Sequence, residues 1–357
     1  MRLYALLGST VLAALVLLAA QGVTASAGLQ ISSVSGSPNN GVTITVQGQG
    51  FGTKATAAPL KWDNFENGTN NANITGWELD SAGPTAVVPH YSNVVTRTNS
   101  HMSSRHDFLN GNWNSSLAIT GRTFDKVYLD GWVYVDEAPP YSRNHKLYRL
   151  YTNQYDQPDL YYNLYCANHG SHLDQDGLTG GKGDAWLTAD VTDFARKWVH
   201  VQSYFEESGV SVDNGTAMIW IDGVKQADLP NAFRTRETNT HWNALYIGHY
   251  LGHDAVGDCP AYGDAFVYWD DVYVDTTQAR IEIGDAATYA ASRHREIQLP
   301  ATWSDTSIIL TVNQGSFATL NGTYLFVIDS AGNASPGYPL GGATLAPAAP
   351  SNLRILP

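Results

Sequence analysis

Apolar and polar residues alternate along many short stretches of this chain. Between positions 42 and 47, every second residue is apolar, namely Val42, Ile44 and Val46. An alternation of period two is typical of a β-strand with one buried face. No long stretch has the 3.6-residue period of an amphipathic helix, and Asp190 to Trp198 is the only short helix that the pattern predicts. We therefore predict an all-β fold.

The same alternation predicts which side chains of the middle region face outward. In residues 131–135 it leaves Trp132 and Tyr134 opposite the predicted core, and in residues 199–205 it leaves Gln202 and Tyr204 there. Flat aromatic rings beside hydrogen-bonding groups suit sugar rings, whose C–H faces stack while their hydroxyls need partners. These four residues are the predicted substrate-binding positions.

Two further stretches carry groups suited to acid–base chemistry. Strict alternation over residues 145–151 places Lys146 on the side of Tyr148 and opposite Arg149. Residues 161–165 place Asn163 and Tyr165 on one side of their strand.

Composition agrees with the prediction of an all-β fold, and the first residues of the chain predict the compartment of the protein. The chain has 20 Tyr and 10 Trp, and only 15% of its residues are charged, a profile of strands and turns. Arg2, an apolar run and the small residues 25–27 have the pattern of a secretory signal peptide over residues 1–27. We therefore expect a secreted, extracellular protein without membrane insertion. In an oxidising compartment Cys166 and Cys259, the two cysteines, are expected to pair.

The charge of the chain limits its partners. The formal net charge is -13, and Lys and Arg form no run. Such a surface repels polyanions, so nucleic-acid binding is disfavoured, and strongly anionic polysaccharides are mildly disfavoured as well.

The two ends of the chain resemble two parts of one domain. Residues 28–59 contain Gly41 and the Gly-rich segment Gly48-Gln49-Gly50-Phe51-Gly52, which resemble the opening of an IPT/TIG domain. Residues 279–340 contain Tyr324-Leu325-Phe326-Val327-Ile328-Asp329, similar to the last strand of that fold. The resemblance implies a small immunoglobulin-like β-sandwich formed by both chain ends, which acts mainly as a structural support. Residues 341–357 are predicted to be a Pro/Ala-rich tail.

The region between these parts, residues 60–278, resembles the concanavalin A-like lectin/glucanase jelly roll, including its laminin-G-like and polysaccharide-lyase members. The likeness lies in Trp62-Asp63-Asn64-Phe65-Glu66-Asn67-Gly68, Trp220-Ile221-Asp222-Gly223 and Tyr268-Trp269-Asp270-Asp271-Val272-Tyr273-Val274. It implies a larger β-sandwich with one concave face. Jelly rolls of this class often hold a structural Ca²⁺ where the first and last strands meet, which implies Asp63, Glu66 and Asp271 as ligands with hard oxygen atoms.

The residue types favour elimination over hydrolysis. The paired-carboxylate pattern E-x-D-x-E of jelly-roll glucanases is absent from the sequence, which disfavours a glycoside hydrolase. A polysaccharide lyase needs a base such as Tyr or His, and groups that neutralise a uronate carboxylate. Residues 246–250 resemble the Tyr-containing strand of alginate-lyase-like jelly rolls, although the Lys of that motif is missing. The predicted catalytic residues are Tyr250, His249, Arg149, Asn163, Tyr165 and His169.

Three functions remain open at this point. The chain is predicted to bind an extracellular polysaccharide, either without cleaving it or with cleavage by β-elimination. The alternative is a non-catalytic surface or adhesive protein whose jelly roll contacts other proteins. A transition-metal site in the His-rich loops around His172 and His253 is a weaker alternative, and the oligomeric state is left open.

Overall fold

The computed structural model describes residues 28–109, 111–152, 156–166, 170–176, 178, 184–252 and 263–341. These residues form 23 antiparallel strands and two short 3₁₀ turns, Val191–Phe194 and Tyr289–Ala291, so the all-β prediction is confirmed. In the described part of the chain, no helix is long and apolar enough to cross a membrane. The predicted signal peptide and the tail beyond residue 341 lie outside the described residues.

The strands are β1 (Gln30–Ser35), β2 (Thr43–Gln49), β3 (Lys61–Asp63), β4 (Glu78–Ala82), β5 (His90–Ser92), β6 (Ser103–Phe108), β7 (Asn114–Ile119), β8 (Lys126–Val135), β9 (Asn144–Thr152), β10 (Asp156–Leu164), β11 (Ser171–Asp176), β12 (Ala185–Trp186), β13 (Trp198–Glu206), β14 (Gly215–Ile221), β15 (Val224–Phe233), β16 (Trp242–Gly252), β17 (Ala265–Asp275), β18 (Arg280–Gly284), β19 (Arg295–Ile297), β20 (Leu299–Trp303), β21 (Ser307–Thr311), β22 (Tyr324–Ile328) and β23 (Tyr338–Pro339).

Two large sheets from the middle of the chain stack into a sandwich. One sheet, in the order β12-β11-β10-β9-β16-β7-β4, is called the seven-stranded sheet below. The other, β15-β14-β13-β8-β17-β6-β5 with β3 paired to β17, is the eight-stranded sheet. Their facing sides share one hydrophobic core that includes Leu117, Val133, Leu160 and Trp269. Each sheet therefore has a second side, directed away from this core.

Both ends of the chain build a second, smaller sandwich. Strand β2 pairs with β21, with Ile44 opposite Leu310, and the sheet order is β1-β2-β21-β20. The other sheet has the order β19-β18-β22-β23. Ile44 and Leu310 share a core with Phe51, Ile281 and Val327, so residues from before and after the large sandwich are buried together.

The segment 295–300 contributes to two strands in different sheets. Strand β19 ends at Ile297 and β20 begins at Leu299, with Gln298 between them. The amide of Gln298 donates to the carbonyl of Asn313 at 2.8 Å and accepts from the Asn313 N–H at 2.9 Å. These bonds replace the ladder bonds that are lost where the chain crosses from one sheet to the other.

The small sandwich covers the outer side of the eight-stranded sheet. Gln202 donates to Glu282 at 2.9 Å and accepts a hydrogen bond from Arg295. Arg97 of the large sandwich forms ion pairs with both Asp271 and Glu296. All six side chains are buried. The contact between the sandwiches is therefore a buried polar network rather than a solvated hinge.

A β-bulge in β9 decides which residues reach the outer side of the seven-stranded sheet. Tyr148 pairs with Tyr162 of β10, whereas the next pair is Lys146 with Asn163, so Leu147 is an extra residue. Leu147 and Tyr148 both belong to the core, although they are adjacent in the chain. The prediction that Lys146 shares a side with Tyr148 is therefore wrong, because the bulge moves Lys146 to the side of Arg149.

Candidate functional site on the seven-stranded sheet

One line of residues crosses the outer side of the seven-stranded sheet, perpendicular to its strands. Each member is the register partner of the next across β7, β16, β9, β10, β11 and β12. Because neighbouring strands lie about 4.8 Å apart, these five steps span roughly 24 Å. We call this line the central row; its members are Asn114, Tyr250, Lys146, Asn163, His172 and Trp186.

Lys146 is the cation of the central row. Its ammonium lies 3.8 Å from the centre of the Tyr161 ring, a cation–π contact. Burial, with a smaller effect from the nearby Arg149 charge, lowers the pKa of Lys146 to about 8. A lysine with such a pKa is partly neutral at mildly alkaline pH and can take up a proton there.

Arg149 lies two register pairs along β9 from Lys146, next to Tyr161 on β10 and Tyr246 on β16. Its guanidinium forms an ion pair with the buried Asp159 and lies 3.7 Å from a carboxylate oxygen of Asp176. Arg149 is thus held in place by two carboxylates, and much of its charge is already balanced.

The end of the row near β12 is an aromatic and acidic cluster. His172 Nδ1 lies 2.6 Å from an oxygen of Asp174, and the Tyr165 hydroxyl donates to the same carboxylate at 3.2 Å. The ring of Trp186 stacks on Tyr165, with 5.7 Å between centroids, and tilts over His172 at 4.3 Å.

Two buried polar atoms in the row lack a hydrogen-bond partner among the described residues. They are Oδ1 of Asn163 and Nε2 of His172. Buried polar atoms are nearly always paired with protein or water, because leaving one unpaired costs about 1–3 kcal/mol. Their position between Lys146 and Trp186 makes them candidate contacts for a polar ligand.

Gly248 allows the sheet to pass close to the core histidine His106. Its φ is +72°, and a Cβ there would lie 2.3 Å from His106 Nδ1. His106 is fully buried and donates from Nδ1 to the Ser115 carbonyl at 2.7 Å, and burial lowers its pKa to about 4. The register of β16 shifts between Ile247 and Tyr250, so Gly248 lies within the irregularity that precedes Tyr250.

The structure brings together some of the predicted catalytic residues. Arg149, Asn163 and Tyr165 all lie on the outer side of the seven-stranded sheet, around Lys146. Tyr250 occupies its place in the row by backbone pairing. The side chains of His249 and Tyr250 lie outside the described part of the chain, as do His169, His253 and Cys259. Cys166 is buried, and its N–H donates to Asn144 at 2.9 Å.

The predicted substrate-binding residues lie elsewhere. Trp132, Gln202 and Tyr204 do face away from the main core, but the small sandwich covers them, and they are 9%, 1% and 3% exposed. Trp132 packs between His200, at 4.8 Å, and the guanidinium of Arg97, at 4.0 Å. Their prediction as an open sugar-binding face is not supported, because the side they occupy is the contact between the sandwiches. Tyr134 is half-buried beside Trp198.

The three predicted calcium ligands do not converge on one point. Both carboxylate oxygens of Asp63 are engaged, one by the Phe65 N–H at 2.8 Å and one by the Trp77 indole at 2.8 Å. Glu66 and Asp271 border a common cavity of about 240 Å³. The described side chains thus fit a Ca²⁺ only in part, and the ion stays a prediction.

The described residues contain one other group with metal-ligand chemistry, formed by Asp125, Glu207 and His241 within 4.8 Å of one another. The guanidinium of Arg236 lies 3.1 Å from His241 and 3.6 Å from Glu207. This group already contains a cation, so its geometry is that of a salt-bridge network.

Sequence reasoning missed Lys146, His172 and Trp186 as members of the site. Lys146 was hidden by the bulge, which no simple alternation indicates. His172 and Asp174 were noted only as possible metal ligands of a loop, whereas they lie in β11. The period-two spacing of His172, Asp174 and Asp176 is the signal that could have placed them on one side of a strand.

Comparisons with known proteins do not assign this chain to a family. A scan against protein-family models and a search of the curated proteins find no match. Similar solved structures include the alginate lyase Aly36B, with 15% identity and a TM-score of 0.42 over 62% of this chain and 98% of that chain. They also include an endo-β-1,4-glucuronan lyase from the fungus Trichoderma reesei, with 15% identity and a TM-score of 0.42 over 61% of this chain and 96% of that chain. A marine PL-14 alginate lyase from Aplysia kurodai shares 13% identity, with a TM-score of 0.40 over 52% of this chain and 86% of that chain.

The three neighbours named are two alginate lyases and a glucuronan lyase, at identities of 13–15% and TM-scores of 0.40–0.42. Likeness at this level carries no argument about the chemistry of the present chain.

Proposed function

We propose that this protein is an extracellular lyase that cleaves a uronate-containing polysaccharide by β-elimination on the central row. The observation that carries the proposal is the position of Lys146. This half-buried amine, with a pKa of about 8, lies between the backbone position of Tyr250 and the amide of Asn163.

The proposed reaction needs one base, one acid and one group that binds a carboxylate. The base removes the proton on C5 of a uronate, next to its carboxyl group. The electron pair forms the C4=C5 double bond, and the C4–O bond to the next sugar breaks. The departing oxygen takes up a proton, which gives a new reducing end and an unsaturated uronate.

The residues of the row match these roles. Lys146 or Tyr250 is the proposed base, and the other of the two is the proposed proton donor to the leaving oxygen. Asn163 is the proposed binding residue for the uronate, because its amide is a row neighbour of Lys146. Its Nδ2 would donate to the carboxylate, and its Oδ1, which has no hydrogen-bond partner among the described residues, would accept from a sugar hydroxyl. Arg149 is the proposed positioning residue, since its ion pairs with Asp159 and Asp176 limit its availability to substrate.

The remaining sequence predictions enter as parts of the same proposal. We infer export with removal of residues 1–27, a Cys166–Cys259 disulfide near the site, and a TIG-like supporting role for the small sandwich. Mass spectrometry of the secreted protein, with and without reduction before thiol alkylation, tests the leader and the disulfide directly.

The test of the activity uses the purified protein and a panel of uronic and neutral polysaccharides. Unsaturated products absorb in the ultraviolet, so the initial rise in absorbance measures elimination. We expect such a rise with a uronic polymer, and a loss of about 10²–10⁴-fold in Lys146→Met. Lys197→Met is the matched control, because Lys197 is a surface lysine whose side chain is 51% exposed.

Binding without cleavage is the second candidate function, and the balanced charge of Arg149 favours it. A polymer that retards the protein in affinity electrophoresis, yet yields no unsaturated product over the pH range 6–10, would replace the lyase with a binding module. Shortening of a polymer without ultraviolet absorbance would instead indicate hydrolysis or oxidation.

A further inference from the structure

Trp186 ends the central row as an exposed aromatic platform. It is 63% exposed, although large aromatic side chains usually bury most of their surface. A single exposed Trp needs no explanation by itself, but this ring is held in a fixed orientation by Tyr165 and His172. An exposed ring with a fixed orientation is suited to stacking against the face of a sugar.

Polar groups lie beside the platform. Because the Asp174 carboxylate only accepts, the 2.6 Å contact places the His172 proton on Nδ1, which leaves Nε2 as an acceptor in the neutral ring. That Nε2 is buried and has no partner in the part of the chain that the structure describes. A ring to stack on and an unpaired acceptor are the two components that a hydroxylated sugar ring requires.

The charge at this end of the row has the opposite sign from the charge at Lys146. Among the described residues, His172 is the only basic side chain in contact with the Asp174 carboxylate, and its neutral ring does not balance that charge. Asp176 lies two residues along β11, with its side chain 44% exposed. A second carboxylate brought close to Asp174 would be repelled, and the partial burial of the site weakens the screening by solvent. The platform therefore accommodates an uncharged sugar and disfavours a uronate.

We propose that Trp186, Tyr165 and His172 form a subsite for an uncharged sugar, so that the substrate is a polysaccharide in which uronic acids are separated by neutral sugars. The proposal rests on the proposed lyase function for the uronate at Lys146. Trp186 lies three strand spacings from Lys146, roughly 14 Å, so one substrate chain would have to extend along the row to reach both. The negative net charge of the whole protein also disfavours a polymer that is charged at every sugar.

The experiment compares two polymers and three variants. One polymer is a homopolyuronate, and the other alternates uronic acid with a neutral sugar. The variants are Trp186→Ala, Trp186→Phe, which keeps a ring, and Val224→Ala, an exposed apolar control on β15 of the other sheet. Affinity electrophoresis measures binding, and ultraviolet absorbance measures elimination.

We expect Trp186→Ala to weaken binding of the alternating polymer about three- to tenfold and to raise KM more than it lowers kcat, since the platform lies away from the reacting bond. Trp186→Phe should recover part of the loss, and Val224→Ala should behave as the wild type. Asp174→Asn keeps an acceptor but removes the charge, so it should raise the relative activity on the homopolyuronate.

The outcomes separate this subsite from the lyase activity. Equal binding by wild type and Trp186→Ala, or faster cleavage of the homopolyuronate than of the alternating polymer by wild type, would overturn the subsite. Binding that depends on Trp186 without any elimination would retain the subsite and reject the lyase.

Discussion

Arg97 links the two sandwiches, and its removal should be among the most damaging substitutions in the protein. Its guanidinium pairs with Asp271 of the large sandwich and with Glu296 of the small one, and donates to Ser316 at 3.0 Å. It also lies 4.0 Å above the ring of Trp132. Arg97→Met keeps most of the aliphatic volume but leaves both carboxylates buried without their cation.

The expected loss follows from this burial. Arg97 is 4% exposed, Asp271 is 4% exposed and Glu296 is fully buried, so solvent replaces little of the lost attraction. Removing one partner of a buried ion pair typically costs about 3–5 kcal/mol. We expect Arg97→Met to lose about that much free energy of unfolding at pH 8.

The loss should depend on pH in a defined direction. Burial raises the pKa of Asp271 to about 7 against the opposing effect of Arg97. For Glu296, burial acts upward, but the Arg97 charge, the His294 contact and the hydrogen bond from the Ser316 N–H together outweigh it and hold the pKa at about 2. Without Arg97 both pKa values rise, so the folded variant binds more protons than the unfolded chain at mildly acidic pH. The variant should therefore recover part of its stability between pH 8 and pH 5.

Urea unfolding of wild type and variant at pH 8 and pH 5 measures both effects. Lys225→Met is the control, because Lys225 pairs with Asp228 at 3.0 Å on the surface, where such pairs contribute about 0–1 kcal/mol. A loss for Arg97→Met no larger than that of this control, or a loss that grows as the pH falls, would refute the reasoning.

Four further predictions follow from the site and its surroundings. If neutral Lys146 is the base, elimination should rise about tenfold per pH unit up to a pKa near 8 and then level off, and a rate that falls over this range would exclude that role. Gly248→Ala should lower stability by at least about 1–3 kcal/mol in thermal unfolding, because its Cβ would overlap His106, and an unchanged melting temperature would contradict that contact. Trp132→Ala should lower stability by about 3–5 kcal/mol yet leave polysaccharide retention unchanged in the folded fraction, whereas weaker retention would restore it as a binding residue. Added Ca²⁺ should raise the melting temperature if the predicted ion binds, and Glu66→Gln should reduce this rise. Equal melting curves with and without Ca²⁺ would contradict the prediction of a bound ion.

The strand content was predictable because side-chain alternation is a local property. The period-two pattern at residues 42–47 corresponds to β2, and Val133 and Val201 face the core as predicted. The side of Lys146 was not predictable in this way, because one extra residue at Leu147 reverses the alternation, and the sequence around it contains no Gly or Pro that marks a bulge.

The eight-stranded sheet, whose outer side is covered by the small sandwich, shows a second limit of prediction from sequence. Alternation correctly directed Gln202 away from the main core, but it does not indicate whether solvent or another domain lies on that side. Glu282 and Arg295, which contact Gln202, lie 80 and 93 residues away in the chain, so no local pattern connects them to it. Candidate site residues were therefore found where a strand faces solvent and misassigned where a strand faces a second domain.

The sheet of the small sandwich that pairs β2 with β21 also sets the order in which the two sandwiches can be completed during synthesis. Gln47 of β2 bonds to Ser307 of β21, which lies 260 positions further along the chain. At about 5–20 residues per second, the ribosome takes roughly 13–52 s to supply the missing strand after β2 has emerged. During that interval the β1–β2 hairpin has an unpaired edge, which can pair with other chains. The large sandwich can fold in the meantime, and its completion brings β2 near the place where β21 will arrive. A circular permutant that begins within the large sandwich and joins the original ends would make β2 and β21 near neighbours in sequence, and would reverse the order in which the two sandwiches are completed.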